Sequence, residues 1–296
     1  MLLRNILLDQ GNEMNLEKLR NYAFPTIEHD LTFRDSILYA LGLGYGMDPN
    51  DRAQIQFVYE DGQKAVPSMC CIMGYPGFWL REPALEVDWV KLLHGEHFYQ
   101  VFAPLPVQGK LIAKHKVTGV DDKGPGRGAT VNFQKELYDS AGTLLAKVEQ
   151  TNFLRGDGGC GSFGTPARER PPLPDSPPDA IHEIKTTRQI ALIYRLSGDY
   201  NPVHADPEVA KKAGFREPWL AGMCLMGLAT RACVEKFCDN EPDRIQSMFV
   251  RFKSVGYPGE TMRYEFYKTD SGARFRVRSV ERPDVVILDR GGVVFR

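Results

Sequence analysis

The sequence predicts an α+β fold built from two similar halves. Residues 222–238, GMCLMGLATRACVEKFC, are apolar nearly all round, which is typical of a helix that is buried on every side. Beyond them the apolar residues alternate as in half-buried strands, so we expect an antiparallel sheet that wraps this helix. Residues 164–179, GTPARERPPLPDSPPD, are rich in proline and charge and indicate an extended linker between halves of similar length.

The second half is expected to place two shorter helices before the buried one and four strands after it. The segment TTRQIALIYRLSG predicts the first of these helices. The second helix has Asp206 as its N-cap and Pro207 at its first position, and Gly214 follows its last turn. Four strands are predicted at IQSMFVRFK, ETMRYEFYK, ARFRVRSVE and DVVILDRGGVVF, with turns at YPGE and TDSG.

The first half repeats this order faintly. It has an early helix at RDSILYALGLG and later strands at WVKLLHGEHFYQVFAPLP, GKLIAKHKVTGV, GATVNFQKELYD and LLAKVEQTNFLRG. The DSAG turn before the last strand parallels the TDSG turn of the second half. We therefore predict two copies of one supersecondary unit, with an N-terminal domain over residues 1–163, a proline-rich linker over 164–180 and a C-terminal domain over 181–296.

Composition and charge exclude several classes of partner. Lys and Arg number 37 against 38 Asp and Glu, so no basic face is expected for nucleic acid. No apolar run approaches the roughly 18 residues of a membrane span. The opening MLLRNILLDQGNEMN lacks the apolar stretch of a signal peptide, and GGVVFR at the end is not a peroxisomal address, so a cytoplasmic protein is expected. The six cysteines include no CxxC pair and are expected to be buried free thiols.

The segment YRLSGDYNPVH, residues 194–204, carries the first candidate for chemistry. Asp199 can accept a proton as a carboxylate, and His204 is the side chain best suited to move protons near neutral pH. Asn201 can hold the loop through hydrogen bonds to the backbone, and Pro202 restricts its conformation. An ordinary Asn-Pro turn with a hydrogen-bonded histidine is the other interpretation, and the spacing alone leaves both open.

Gly222 is the second candidate, because it lies at the expected start of the buried helix. Free backbone N–H groups point out of a helix start, where the helix dipole favours negative charge. A glycine also lets a ligand oxygen approach closely, so this position can form an oxyanion hole for a carbonyl that develops enolate charge. The alternative is that Gly222 only permits close packing of the helix against the sheet.

Three further motifs are weaker. His94, Glu96 and His97 in HGEH lack the HExxH spacing of a zinc site, so no metal is expected there. The glycine-rich GDGGCGSFG is neither a dinucleotide-binding motif nor a P-loop. Arg251 and Lys253 alternate along a predicted strand and could donate to phosphates, although a solvated strand face is the other interpretation.

Several stretches of the sequence resemble a known family. YRLSGDYNPVHADPEVAKKAGF is similar to the signature of the (R)-specific enoyl-CoA hydratases of the MaoC-like group, in which Ser-Gly-Asp-x-Asn-Pro-aliphatic-His precedes a short helix and Ala-Gly-Phe. The first half resembles the double-hotdog form of this family, the hydratase module of peroxisomal multifunctional enzymes. The resemblance covers roughly residues 20–296, and its first-half stretches are ILYALGLG, FVYE, LLHGEHF, PLP, DDKGPG and FLRGDGGCGSFG.

The resemblance implies a fold, a reaction and a set of roles. Each hotdog is an antiparallel sheet around a central helix, and the N-terminal one accommodates the acyl chain. The C-terminal hotdog adds water reversibly and syn to a trans-2-enoyl-CoA, giving the (R)-3-hydroxyacyl-CoA. Asp199 and His204 activate the water, Asn201 orients the loop, and the Gly222 N–H binds the thioester oxygen. The acyl-CoA is the substrate, no metal or other cofactor is needed, and a homodimer is expected.

The sequence departs from the family pattern just before Gly222. The family has Pro-Ile-Leu-His-Gly, whereas this chain has PWLAGM, so that Trp219 and Ala221 replace an aliphatic residue and a histidine. We expect Trp219, Ala221 and Met223 to shape the substrate site. Two alternatives to a straight-chain hydratase stay open: an enzyme for a branched, dicarboxylic or steroid side-chain CoA thioester, and an acyl-CoA-binding protein with little catalysis.

Overall fold

The computed structural model describes residues 14–167 and 169–296. The opening stretch, for which no signal peptide is expected, lies mostly outside these residues. Within them six α-helices are present: α1 (Leu16–Arg20), α2 (Phe33–Leu41), α3 (Arg52–Ile55), α4 (Ile190–Tyr194), α5 (Pro207–Lys212) and α6 (Gly222–Phe237). None of the helices in the described ranges is long and apolar enough to cross a membrane.

Eleven strands of the described ranges form one continuous antiparallel sheet. Their order is β1-β3-β4-β5-β2-β8-β11-β10-β9-β7, and β6 pairs with β3 outside this path. The strands are β1 (Ile27–Leu31), β2 (Leu92–Val101), β3 (Gly109–Asp122), β4 (Ala129–Asp139), β5 (Leu144–Leu154), β6 (Phe163–Gly164), β7 (Ala180–Lys185), β8 (Ile245–Phe252), β9 (Thr261–Thr269), β10 (Gly272–Ser279) and β11 (Val286–Phe295).

The centre of the sheet joins the two halves of the chain. All strands on one side of the β2–β8 pair precede the proline-rich stretch, and all strands on the other side follow it. In this pair Phe98 stands opposite Phe249, with antiparallel register. Because a continuous ladder of backbone hydrogen bonds crosses this boundary, side chains of the first half are held at fixed positions next to elements of the second.

The prediction of a buried helix in the second half is confirmed. Every residue of α6 from Cys224 to Val234 is buried, and the helix packs within the curve of the sheet. Its packing against the first half is close, because a Cβ at Gly227 would lie 2.4 Å from a methyl carbon of Leu43. The four strands predicted after the helix are also present, as β8 to β11.

The N-terminal half departs from the expectation that each sheet wraps a central helix. Instead of a second long helix, residues 52–91 form the four-residue α3 and four short 3-10 turns, at 67–71, 79–81, 83–85 and 89–91. Prolines at 67, 76 and 83 remove backbone donors, and Gly62, Gly74 and Gly77 adopt φ values of 69°, 60° and 77°, which no helix contains. The absence of a rod-like helix leaves space beside the sheet for a cavity.

A buried lysine holds one of these turns against the sheet. Lys135 on β4 is 3% exposed, and its Nζ donates hydrogen bonds to the backbone oxygens of Cys71 at 2.9 Å and Met73 at 2.7 Å. Burial lowers the pKa of Lys135 from 10.5 to about 8, because the ammonium loses its hydration. Lys135 therefore fixes the turn that forms one wall of the cavity.

Replacing Lys135 with Met is expected to destabilise the fold by about 2 kcal/mol at neutral pH, because two buried carbonyls lose their donor. Since the folded pKa lies below the unfolded one, the unfolded chain binds more protons between about pH 8 and 10.5, and the wild-type protein gains stability with pH there, by up to ~3 kcal/mol. Urea unfolding across this range measures both effects. Lys116→Met, at an exposed position on β3, is the control. Equal pH dependence in wild type and Lys135→Met would contradict the assignment.

Candidate functional site

The segment between α4 and α5 is an ordered loop. α4 is shorter than predicted, because it runs into a 3-10 turn over residues 195–197 that Gly198 ends with a φ of 117°. Asn201 then organises the loop: its N–H donates to Asp199 Oδ1 at 3.3 Å, and its side-chain oxygen accepts from the Val203 N–H at 3.4 Å. These bonds turn the chain so that the side chains of Asp199 and His204 approach each other.

The predicted start of α5 is confirmed. The Asp206 carboxylate accepts hydrogen bonds from the backbone N–H of Glu208 at 2.8 Å and Val209 at 3.3 Å, and Pro207 occupies the first helical position. The loop that carries Asp199 and His204 is thus anchored at its C-terminal end by a capped helix.

His204 is held by the segment that leads into α6. The side chain is buried, and its Nδ1 lies 2.8 Å from the backbone oxygen of Trp219. A carbonyl only accepts hydrogen bonds, so Nδ1 carries the proton and, in the neutral ring, Nε2 is an acceptor. Nε2 lies 3.6 Å from Asp199 Oδ2, beyond the range of a direct hydrogen bond. The two acceptors therefore face each other across a short gap.

Trp219 supports His204 through its ring as well as its backbone. The indole meets the imidazole edge-on, with ring centroids 5.6 Å apart, and Phe215 packs on the indole at 4.1 Å. The residue that departs from the family pattern is thus in contact with a predicted catalytic side chain.

Gly222 is the first residue of α6, as predicted. Its N-cap, Ala221, makes no side-chain hydrogen bond, and Leu225 donates to the Ala221 oxygen at 3.1 Å to close the first turn. The N–H groups of the first turn, including that of Gly222, therefore have no acceptor within the helix. A Cβ at Gly222 would lie 3.3 Å from the Phe252 ring, so the glycine also relieves crowding against the sheet.

Asp199 stands between two adjoining chambers. The outer chamber, of about 710 Å³, combines aromatic side chains of the first half with loop residues 198–202; the aromatic residues are Tyr75, Phe78, Trp79, Trp89 and Phe133. The inner chamber, of about 170 Å³, reaches Met223 at the start of α6. Both chambers are also bordered by His94 and Gln150 of the first half. The cavity thus needs both halves of the chain.

Asp199 is partly exposed, with 40% of its side chain accessible, but two of its neighbours are buried. Tyr194 and Cys224 are buried, and burial raises the pKa of each; the nearby carboxylate of Asp199 raises both further. The pKa of Tyr75 is raised in the same way, first by burial and then by Asp199. The Asp199 carboxylate thus has buried groups on one side and can accept a hydrogen bond from a donor that enters the cavity.

Of the other residues predicted to contact the substrate, only some line the two chambers. Met223 lines the inner chamber, whereas Trp219 and Ala221 line neither chamber. Arg251 is paired with Glu96, its Nε 2.6 Å from the carboxylate, and Lys253 follows β8 with its Nζ 3.7 Å from Asp289. Neither cation borders the two chambers, so their contact with CoA phosphates stays a prediction.

The HGEH motif does not converge on one point. His94 Nε2 lies 3.0 Å from His97 Nδ1, while Glu96 points to Arg251. In residues 14–167 and 169–296, no three His, Cys, Asp or Glu side chains cluster as a metal site requires. The motif instead contributes two imidazoles to the wall of the inner chamber.

Comparison with known proteins decides the family. Residues 29–156 match the family model of the MFE-2 hydratase 2 N-terminal domain, and residues 169–289 match that of the MaoC like domain. A Dictyostelium discoideum protein named probable enoyl-CoA hydratase 2 is 37% identical, over 94% of this chain and 95% of its own length. The chain belongs to the hydratase 2 family of MaoC-like proteins.

Two further proteins resemble this chain over nearly its whole length. A protein of Arabidopsis thaliana named enoyl-CoA hydratase 2, peroxisomal, is 32% identical over 93% of this chain and 94% of its own length. The crystal structure of a MaoC-like dehydratase from Phytophthora capsici is 33% identical, has a TM-score of 0.84 and covers 95% of this chain and 99% of that one. The predicted resemblance and the double-hotdog fold are thereby confirmed.

The hydrogen bond between His204 and Trp219 predicts a definite tautomer. In ¹⁵N-histidine-labelled protein, at a pH where the ring is neutral, His204 is expected to be protonated at Nδ1 and unprotonated at Nε2. Two-bond ¹⁵N–¹H correlation spectra distinguish the two forms, and His204→Gln identifies the signal by its loss. Protonation at Nε2 would show that the Trp219 carbonyl does not orient the ring.

Proposed function

We propose that this chain adds water reversibly to a trans-2-enoyl-CoA and forms the (R)-3-hydroxyacyl-CoA. The observation that carries the proposal is the gap between His204 Nε2 and Asp199 Oδ2, which are 3.6 Å apart and face each other as acceptors. A water molecule has two O–H donors and can give one to each atom. The site is therefore complementary to a single bound water beside the cavity.

The reaction follows from that geometry. As one O–H bond of the water breaks, its oxygen forms a bond to C3, and the π electrons of the C2–C3 double bond move towards the thioester oxygen. The Asp199–His204 pair receives the proton and passes it to C2, which restores the thioester carbonyl. Both new bonds come from one water on one face of the substrate, so addition is syn.

Two backbone features support this chemistry. In this proposal the N–H of Gly222 donates to the thioester oxygen as enolate charge develops, and the dipole of the 16-residue α6 favours the same charge. Asn201 holds the loop through its two local hydrogen bonds and so keeps Asp199 turned towards His204. Asn201 acts as a positioning residue.

The outer chamber favours a bulky acyl group. A volume of about 710 Å³, with five aromatic residues of the first half and Tyr200 of the loop in its wall, is large and apolar enough for a long or branched chain. The second candidate function, hydration of a branched or steroid side-chain CoA thioester, uses the same atoms and this same space. A panel of straight, branched, dicarboxylic and steroid side-chain enoyl-CoA thioesters separates these substrates. Tight binding across the panel without turnover would instead support an acyl-CoA-binding protein.

Location and assembly are part of the proposal. We keep the cytoplasm and a homodimer as the expected location and assembly, with CoA entering only as part of the substrate. The Arabidopsis thaliana relative is named peroxisomal, so the peroxisome is the alternative location. Microscopy of the tagged protein separates the two compartments, and light scattering of the purified chain measures its mass in solution.

Asp199→Asn and His204→Gln are each expected to lower kcat for hydration by about 10²- to 10⁴-fold, because each removes a proton acceptor from the bound water. The loss of absorbance of the conjugated thioester measures the rate, and chiral analysis of the product checks the (R) configuration. Asp206→Asn is the matched control, since it changes the same functional group in the cap of α5. Full activity in either site variant, with the fold intact, would refute the mechanism.

A further inference from the structure

The inner chamber contains polar atoms that hydration does not use. Three of the atoms contributed by its lining residues are buried and have no hydrogen-bond partner within the described protein: His97 Nε2, the Tyr194 hydroxyl and Ser197 Oγ. His97 is 3% exposed and Tyr194 is 2% exposed. A buried polar group without a partner costs about 1–3 kcal/mol, so three around one chamber indicate that a polar ligand atom belongs there.

A β-bulge brings the two histidines of β2 into this chamber. In a regular strand, residues three apart point to opposite faces of the sheet. The register of β2 against β5 shifts between His94 and Glu96, so Gly95 is an extra residue and reverses the alternation. His94 and His97 therefore lie on the same face, the one that carries Tyr99 to its contact with Thr230 on α6 at 3.0 Å.

Burial disfavours a positive charge on both imidazoles. Burial lowers the pKa of His94 to about 4 and lowers that of His97 well below its usual value, and the charge of Lys135 acts on His97 in the same direction. Each neutral ring has one donor and one acceptor nitrogen. His94 also donates a hydrogen bond to the backbone of Glu96, so its Nε2 accepts from the Nδ1–H of His97. His97 Nε2 is therefore left as an acceptor.

This chemistry discriminates between ligand groups. A carboxylate is disfavoured, because Asp199 borders the chamber and two neutral imidazoles do not compensate a buried negative charge. A carbonyl is disfavoured too, because it only accepts hydrogen bonds and His97 Nε2 is itself an acceptor. A hydroxyl can donate to His97 Nε2 and can also donate to or accept from the hydroxyls of Tyr194 and Ser197.

We propose that the inner chamber is a hydroxyl-binding subsite, which selects acyl-CoA thioesters that carry an uncharged hydroxyl on the acyl chain beyond the reacting carbons. His97, Tyr194 and Ser197 bind the hydroxyl, and Cys71, Ile72 and Met223 contact the carbon chain that carries it. The proposal rests on the proposed function in one respect, which is that the cavity takes an acyl-CoA.

The test is a binding measurement that does not depend on turnover. Isothermal titration calorimetry compares a saturated acyl-CoA with a series of analogues that carry one hydroxyl at successive positions along the chain. The best analogue is expected to bind about tenfold more tightly than the unsubstituted thioester, since a buried hydrogen bond between neutral groups contributes about 1 kcal/mol. Equal affinities throughout the series would overturn the proposal and leave the chamber to bound water.

Three variants identify the atoms responsible. Tyr194→Phe removes only an oxygen that has no hydrogen-bond partner among the described residues, and His97→Leu removes the nitrogen; each is expected to reduce the tenfold preference to about twofold. His97→Gln retains a donor and an acceptor and is expected to keep part of the preference. Tyr45→Phe is the matched control. Its hydroxyl is also buried with no hydrogen-bond partner in the part of the chain that the structure describes, but its ring packs on Phe57 and does not line the chamber.

The outcomes separate this proposal from the proposed function. An undiminished preference in both Tyr194→Phe and His97→Leu would overturn the subsite, and so would an equal loss in Tyr45→Phe. Hydration of the unsubstituted enoyl-CoA is measured in parallel on the wild-type protein. Hydration without any hydroxyl preference contradicts only the subsite, whereas a preference without hydration contradicts only the proposed reaction.

Discussion

The hydrogen bond from His204 Nδ1 to the Trp219 carbonyl is the interaction on which the site depends. It fixes which nitrogen of His204 faces Asp199, and it ties the loop to the segment that begins α6. That segment is itself anchored, because the Leu220 N–H donates to the Gly256 oxygen at 2.9 Å. Residues 219–222 therefore position both the Trp219 carbonyl, which accepts from the imidazole, and the free N–H groups at the start of α6.

The two hotdogs differ in structure and, in the proposed mechanism, in role. The second half keeps a long buried helix, whose start supplies backbone donors, while the first half replaces such a helix with short turns and leaves a chamber. The β2–β8 pair holds the halves together in one sheet. The departure from the family at Trp219 fits this arrangement, since the indole packs against His204 instead of lining the chambers.

The sequence was enough to predict the features that depend on residues close to one another in the chain. The cap at Asp206, the buried helix and the alternating strands all follow from residue types within a few positions of one another. It did not reach the pairing of His94 with His97, because a single residue, Gly95, reverses the face on which His94 lies, and the strand pattern alone does not reveal the bulge. It also missed the contact of Trp219 with His204 and the burial of Lys135, which depend on residues distant in the chain. For the bulge, the one available signal was Gly95, a glycine within the predicted strand.

The central claim is that one water between Asp199 and His204 supplies both the hydroxyl at C3 and the proton at C2. Hydration of a trans-2-enoyl-CoA in D₂O, followed by NMR analysis of the product, tests this most directly. The account predicts a single diastereomer of (R) configuration at C3, with deuterium and hydroxyl added to the same face. Deuterium added to the opposite face, or a mixture at C2, would contradict it.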